Sequence, residues 1–275
     1  MGLFGWREKK LGAVWKIEKK EERSSLLVGT AHFCPYRFEK TLTKLIWGAE
    51  TVLFEGALDP ESMARVVAYG RQGEGTPSLC DALDRGAAKK INERLAKQQS
   101  SSATAGSYLD FLQPVATDFL KTQTQGVRPW MAFFTVWAAL LNWKYSMDVE
   151  AYRIAQRLGK RIAFLETIED QLAALDGIPF ERFVTYLNHI EQWEGYQDRF
   201  IKAYLAGDLE QFVSMTGVFP TRCESILARR DPIFFSGIKA SHQRGPTTAF
   251  VGVAHIPGIR KLFLDEGYRV TQEVV

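Results

Sequence analysis

Apolar and β-branched residues in this chain gather into short runs. VWKI at 14–17, SSLLV before Gly29, TVLF from 51, RIAFL from 161 and TTAFV before Gly252 are each too short for a helix and are bounded by charged or glycine-containing segments. These runs predict strands. VWKIEKKEERSSLLVGT reads as a hairpin with a charged turn, and YRVTQEV predicts a last strand at the end of the chain. Helical spacing fills the intervals: about 36–47, from about 60 with Asp59 as cap and Pro60 in the first turn, and after Pro257. Thr167 with Asp170 three residues later is a capping box for the helix after RIAFL. The pattern is helical throughout 108–158 and again from 179 to about 244, with breaks near Gly207, Gly217 and Pro220. RQGEGTP at 71–77 and QQSSSATAGS at 98–107 predict loops flanking a charged helix. The expected fold class is α/β, with a central mixed sheet built from both ends of the chain. A large helical insertion at about 71–158 and further helices at about 168–244 fall within one domain spanning 1–275.

Composition narrows the function classes. With 275 residues and 46% hydrophobic content the chain can bury a sizeable core. Its 35 basic residues are nearly offset by 32 acidic ones, and no basic stripe interleaved with aromatics stands out, so no nucleic-acid partner is expected. Cys34, Cys80 and Cys223 form neither a paired framework nor a CxxC, which favours a reducing compartment. The first twenty residues carry no uninterrupted apolar segment of signal-peptide length, and a cytoplasmic location is the expectation. PWMAFFTVWAALLNW at 129–143 would span roughly 22 Å as a helix, short of the roughly 30 Å hydrocarbon core, and Arg128 and Lys144 bracket it. It predicts a buried or groove-lining helix, or a contact between copies in a homo-oligomer, and no transmembrane helix.

Candidate chemistry sits where strands end. GTAH at 29–32 and GVAH at 252–255 each follow an apolar strand and precede a proline and helix-forming sequence, so each histidine is expected at a strand's carboxyl end, where the chain turns into a helix. Open α/β sheets bind ligands beyond those ends, so His32 and His255 are expected to converge despite lying at opposite ends of the chain. Glu55 and Glu166 are likewise the first ionisable residues after their strands. Two imidazoles with one or two carboxylates suit a divalent transition-metal ion such as zinc, manganese or iron; manganese or zinc is expected first, with cobalt as an alternative. His189 and His242 fall in helical sequence and read as structural or surface residues. Cys34, two residues past His32, has no second histidine placed by sequence to activate it.

The chain resembles the TraB/PrgY/GumN group, related to the Tiki metalloproteases and more distantly to erythromycin esterase and ChaN-like proteins. The resemblance rests on GTAHF (29–33), FEG (54–56), MDVEAYRIAQRLGKRIAFLETIEDQL (147–172), AYLAGDL (203–209), RRDP (229–232) and FVGVAHIPGIRKLFLDEGYRV (250–270), nearly the whole chain. It implies an EreA/ChaN-like fold and a Tiki-like, metal-dependent peptidase site using His32, His255 and Glu55, with Glu166 and Arg230 at further family positions. Where the group usually has Arg-Asn, this chain has Arg230-Asp231. The expected reaction is metal-assisted hydrolysis of an amide or related acyl bond in a peptide or small acyl substrate. Glu55 is ligand or general base, Glu166 is equally eligible as base, and Arg230 is expected to meet a substrate carboxylate or oxyanion if it enters the crevice. Two alternatives stand beside it: a non-catalytic protein binding a peptide or haem in the same crevice, and a metal-independent small-molecule esterase.

Overall fold

The computed structural model describes residues 8–20, 23–102, 119–193 and 195–275. Six strands, β1 (Val14–Glu18), β2 (Ser25–Thr30), β3 (Thr51–Phe54), β4 (Arg161–Phe164), β5 (Thr247–Gly252) and β6 (Arg269–Glu273), form one mixed sheet in the order β4-β3-β5-β2-β1-β6. β4, β3, β5 and β2 run parallel, while β1 pairs antiparallel with both β2 and β6. The predicted hairpin is therefore present, and both ends of the chain meet in the sheet. β3 and β5 are buried at every position, as parallel strands covered on both faces must be.

Side-chain alternation assigns the two faces. Thr248 Oγ1 donates to the Leu45 carbonyl, and Phe54 stacks on Phe250 while meeting Tyr152 edge-on, so the helices Glu39–Trp47 and Met147–Arg157 cover one face. On the other, the helices Asp231–Arg244 and Ile256–Asp265 pack through Phe235 and Phe263, and a Cβ on Gly29 would meet Val253 and Ile256.

A second apolar cluster forms away from the sheet. The helix Pro129–Leu141 buries Trp130, Phe133, Val136 and Trp137 against Phe183, Tyr186, Leu187 and Tyr196, and partly buried Phe200 packs against both clusters. The apolar segment is thus a core helix. Asn142, at φ 51°, ends it in the left-handed region that asparagine tolerates. Among the described residues no helix is long and apolar enough to cross a membrane.

Most predicted boundaries hold within a few residues. Asp59 caps Pro60–Gly70 through the Ser62 amide, and Thr167 and Asp170 form both bonds of the capping box. Three expectations need correction. The stretch 108–158 is not helical throughout: among the described residues Phe119–Thr124, Pro129–Leu141 and Met147–Arg157 are separate helices, parted at Gly126 and at 142–146, where Tyr145 pairs with Cys34. The helix Arg85–Ser102 runs through residues 98–102, because glutamine and serine do not break a helix and the first glycine is Gly106; the rest of that expected loop, with 108–118, lies outside the described residues. The chain also does not turn into a helix directly at His32. Cys34 and Tyr145 exchange backbone hydrogen bonds and the Met147 amide bonds the Ala31 carbonyl, which ties the segment to the chain before Met147–Arg157 in a bent, non-helical course until the helix opens at Glu39.

Candidate functional site

Four adjacent parallel strands deliver one residue each to the same end of the sheet. Glu166 follows β4, Glu55 follows β3, His255 follows β5 through one 3-10 turn, and His32 follows β2. Parallel pairing makes this convergence automatic, since carboxyl ends of parallel neighbours lie side by side. Gly252 marks the centre. A Cβ placed there would lie 3.2 Å from Glu55 Oε1 and 3.7 Å from both His32 Nε2 and His255 Cδ2, so the two rings face one small space that a side chain at this position would crowd.

Arg230, from the turn before Asp231–Arg244, closes this row. Its Nε donates to Glu166 Oε2 at 2.8 Å, its Nη2 to Glu166 Oε1 at 2.5 Å and to Glu55 Oε2 at 2.8 Å, and its Nη1 lies 3.3 Å from His255 Nε2. Phe234 backs the guanidinium, 4.8 Å from ring centroid to Cζ. The arginine lies at the strand ends, and its partners are the two strand-end glutamates. It is 8% exposed, so this is a buried ion cluster and not a solvated pair.

Each imidazole is held from behind by a carboxylate. His32 Nδ1 lies 2.8 Å from Asp148 Oδ2, and His255 Nδ1 lies 2.6 Å from Asp231 Oδ1. With Nδ1–H donating to the carboxylate, each Nε2 is left facing the Gly252 space or, for His255, receiving the Arg230 N–H. A Cβ on Gly258 would fall 1.9 Å from Asp231 Oδ2, so the glycine in HIPG exists to admit this carboxylate. Asp148 does not stand out in the sequence, where it looks like an ordinary first-turn helix acid; Asp231 is marked there only as a departure from the group's usual Arg-Asn.

Electrostatics separates the two glutamates. Burial would raise Glu55, but the charges of Arg230, His255 and His32, with the Gly252 amide donating to Oε1 at 2.5 Å, bring it down to about 2, so it is a firm anion. For Glu166 burial wins over Arg230 and its carboxyl lies above the usual range, which suits proton transfer. The Asp148 carboxylate raises His32 to about 9, with Glu55 adding to the rise. The outer part of this ring is open, with 64% of the side chain exposed, so solvent screens its charge.

The remaining candidates fall elsewhere. His242 is buried against Ser25 Oγ at the opposite end of the sheet, and His189 Nδ1 bonds the Thr185 carbonyl in its own helix. Burial pushes the Cys34 thiol up to about 11, leaving no thiolate for nucleophilic attack. Beside Gly252 in register, and on the same face of the sheet, Thr30 Oγ1 is buried without a hydrogen-bond partner among the described residues.

Residues 13–272 match the sequence profile of the TraB/PrgY/gumN family, nearly the whole described chain. The chain belongs to that family. No curated protein and no solved structure matches it. Every residue of the row, His32, Glu55, Glu166, Arg230 and His255, lies inside the TraB/PrgY/gumN match, as do Asp148 and Asp231.

The donor set can be tested against a divalent ion. Two imidazole nitrogens and one carboxylate oxygen are the right chemistry, both rings have the carboxylate backing that orients metal-binding histidines, and Gly252 keeps the space between them clear. As the side chains stand, no group of three histidine, cysteine, aspartate or glutamate ligands among the described residues closes on one point. His255 Nε2 faces Arg230 Nη1 and lies 3.9 Å from Glu55 Oε1.

Proposed function

We propose that this chain is a divalent-metal-dependent hydrolase of the EreA/ChaN-like fold, acting on peptides as the Tiki metalloproteases do. The observation carrying this reading is the convergence of His32, His255 and Glu55 on the space beside Gly252. These three residues would hold the ion, with manganese, zinc or cobalt compatible with nitrogen and carboxylate donors. When bound, the ion would supply Lewis acidity toward a carbonyl oxygen and a water acidic enough to react near neutral pH. The protein's own groups do the rest. Glu55 remains anionic; Glu166, raised by burial, takes and returns a proton; Arg230 holds both carboxylates in place and offers positive charge where an oxyanion would develop. Asp148 and Asp231 fix the tautomers that present Nε2 to the site.

One observation favours a second reading. The Asp231–His255 pair at 2.6 Å is the orienter-and-base arrangement of hydrolases that need no metal, which would make the protein a small-molecule esterase. Elemental analysis of purified protein, with a peptide-library cleavage assay with and without Mn²⁺ or Zn²⁺, separates them. The metal reading expects bound ion lost in His32→Ala and in His255→Ala, with the fold intact by circular dichroism, and cleavage abolished by chelator. Cleavage indifferent to chelator and to added ion would refute it and favour the second.

A further inference from the structure

An open sheet has two edges, and only one of them carries a residue of the site. β6, at the far edge, is separated from His32's strand by β1, whereas β4 ends directly at Glu166 and neighbours β3, which ends at Glu55. The Leu165 amide donates to the Phe54 carbonyl, so alternation turns the main-chain groups of Arg161 and Ala163 toward β3 and those of Ile162 and Phe164 outward. No hydrogen bond from any described residue reaches those outward groups. Among the described residues this leaves two N–H donors and two carbonyl acceptors in a row, at extended-chain spacing. β4 is RIAF, with Arg161 its one charged residue and no proline, and its exposure contrasts with the complete burial of β3; Phe164, 42% exposed, offers apolar surface beside the outward groups.

We propose that the outer edge of β4 is the docking strip for an extended peptide, which adds as a seventh strand and is led past Phe164 toward Glu166 and Arg230. The inference rests on the peptidase reading for the identity of the occupant. The choice of an extended backbone rests on the edge itself, because alternating donors and acceptors at strand spacing are satisfied by another strand and by no helix or compact small molecule. Recognition through the main chain would give tolerance of sequence, with Phe164 adding a preference for an apolar side chain opposite it.

The test uses the full chain and fluorescein-labelled decapeptides of randomised sequence, read by anisotropy, with amide hydrogen exchange on the protein. Binding should slow exchange at the Ile162 and Phe164 amides. Ile162→Pro, which removes an outward donor and no bond to β3, should weaken binding roughly fivefold, the equivalent of one net hydrogen bond. Peptides N-methylated at alternate positions cannot pair along an edge and should bind more weakly still, which tests the proposal even if the proline variant fails to fold. Absence of binding, or binding that leaves both amides unprotected and ignores N-methylation, overturns the proposal. Peptide held at the edge yet never cut would support the strip and remove the hydrolase reading; peptide cut with the edge unprotected would do the reverse.

Discussion

Gly258→Ala tests whether the carboxylate behind His255 is built into the fold. A methyl group there would sit 1.9 Å from Asp231 Oδ2 and 2.8 Å from Cγ, but 3.4 Å from Asp231 Cβ. The backbone of the two helices can therefore stay, and the carboxylate must swing aside by about 1.5 Å to reach ordinary contact distance. That displacement breaks the 2.6 Å bond to His255 Nδ1. Losing a hydrogen bond to a carboxylate costs about 1.5–3 kcal/mol, while alanine in place of glycine within a helix returns up to about 1 kcal/mol, so the net destabilisation should be about 0.5–3 kcal/mol. A double-mutant cycle in urea isolates the cause. With Asp231→Ala already in place the clash disappears, and Gly258→Ala should then stabilise by up to about 1 kcal/mol. Nitrogen chemical shifts of the His255 ring should change in Gly258→Ala as they do in Asp231→Ala. Additive effects in the cycle, or a single variant that is stabilised with unchanged ring shifts, would refute this account of the glycine.

Arg230→Gln leaves Glu55 and Glu166 buried without their shared cation and should lower stability by about 3–5 kcal/mol in urea titrations; a change under about 1 kcal/mol would mean that the cluster is not dry. In metal-free protein, the folded carboxyl of Glu55 lies at about 2 against an ordinary 4.5, so its contribution is complete above about 4.5 and is lost as pH falls through about 2. His32 runs the other way: raised from 6.5 to about 9, it contributes below 6.5 and loses that contribution as pH rises through about 9. Urea midpoints of Glu55→Gln and His32→Gln across pH should flatten the acid and the alkaline limb respectively, and the opposite assignment would contradict the signs. Trp137 packs against Phe133, Tyr186, Trp193, Tyr196 and Phe219, so Trp137→Ala should cost about 3–5 kcal/mol in thermal or urea unfolding. A near-neutral result would place that helix outside a packed core.

What the chain determined by itself was local and periodic. Short apolar runs fixed the strands, Asp59 and the Thr167–Asp170 pair fixed helix starts, and the repeated Gly-x-x-His signal named both imidazoles, because these features depend on neighbours a few residues apart. Strand-end position also marked Glu55 and Glu166, since a polar residue closing a buried strand is visible in the pattern alone. Tertiary structure decided everything that joins distant segments. It put β5 between β3 and β2 and so brought Glu55, His255 and His32 around Gly252. It turned Arg230 onto two glutamates, and it recruited Asp148 and Asp231 behind the rings, one from a helix start that looks ordinary in sequence. The reason is physical: strand order and side-chain direction follow from long-range packing, and the energy of a buried charge depends on which partners surround it in space, which sequence spacing does not encode.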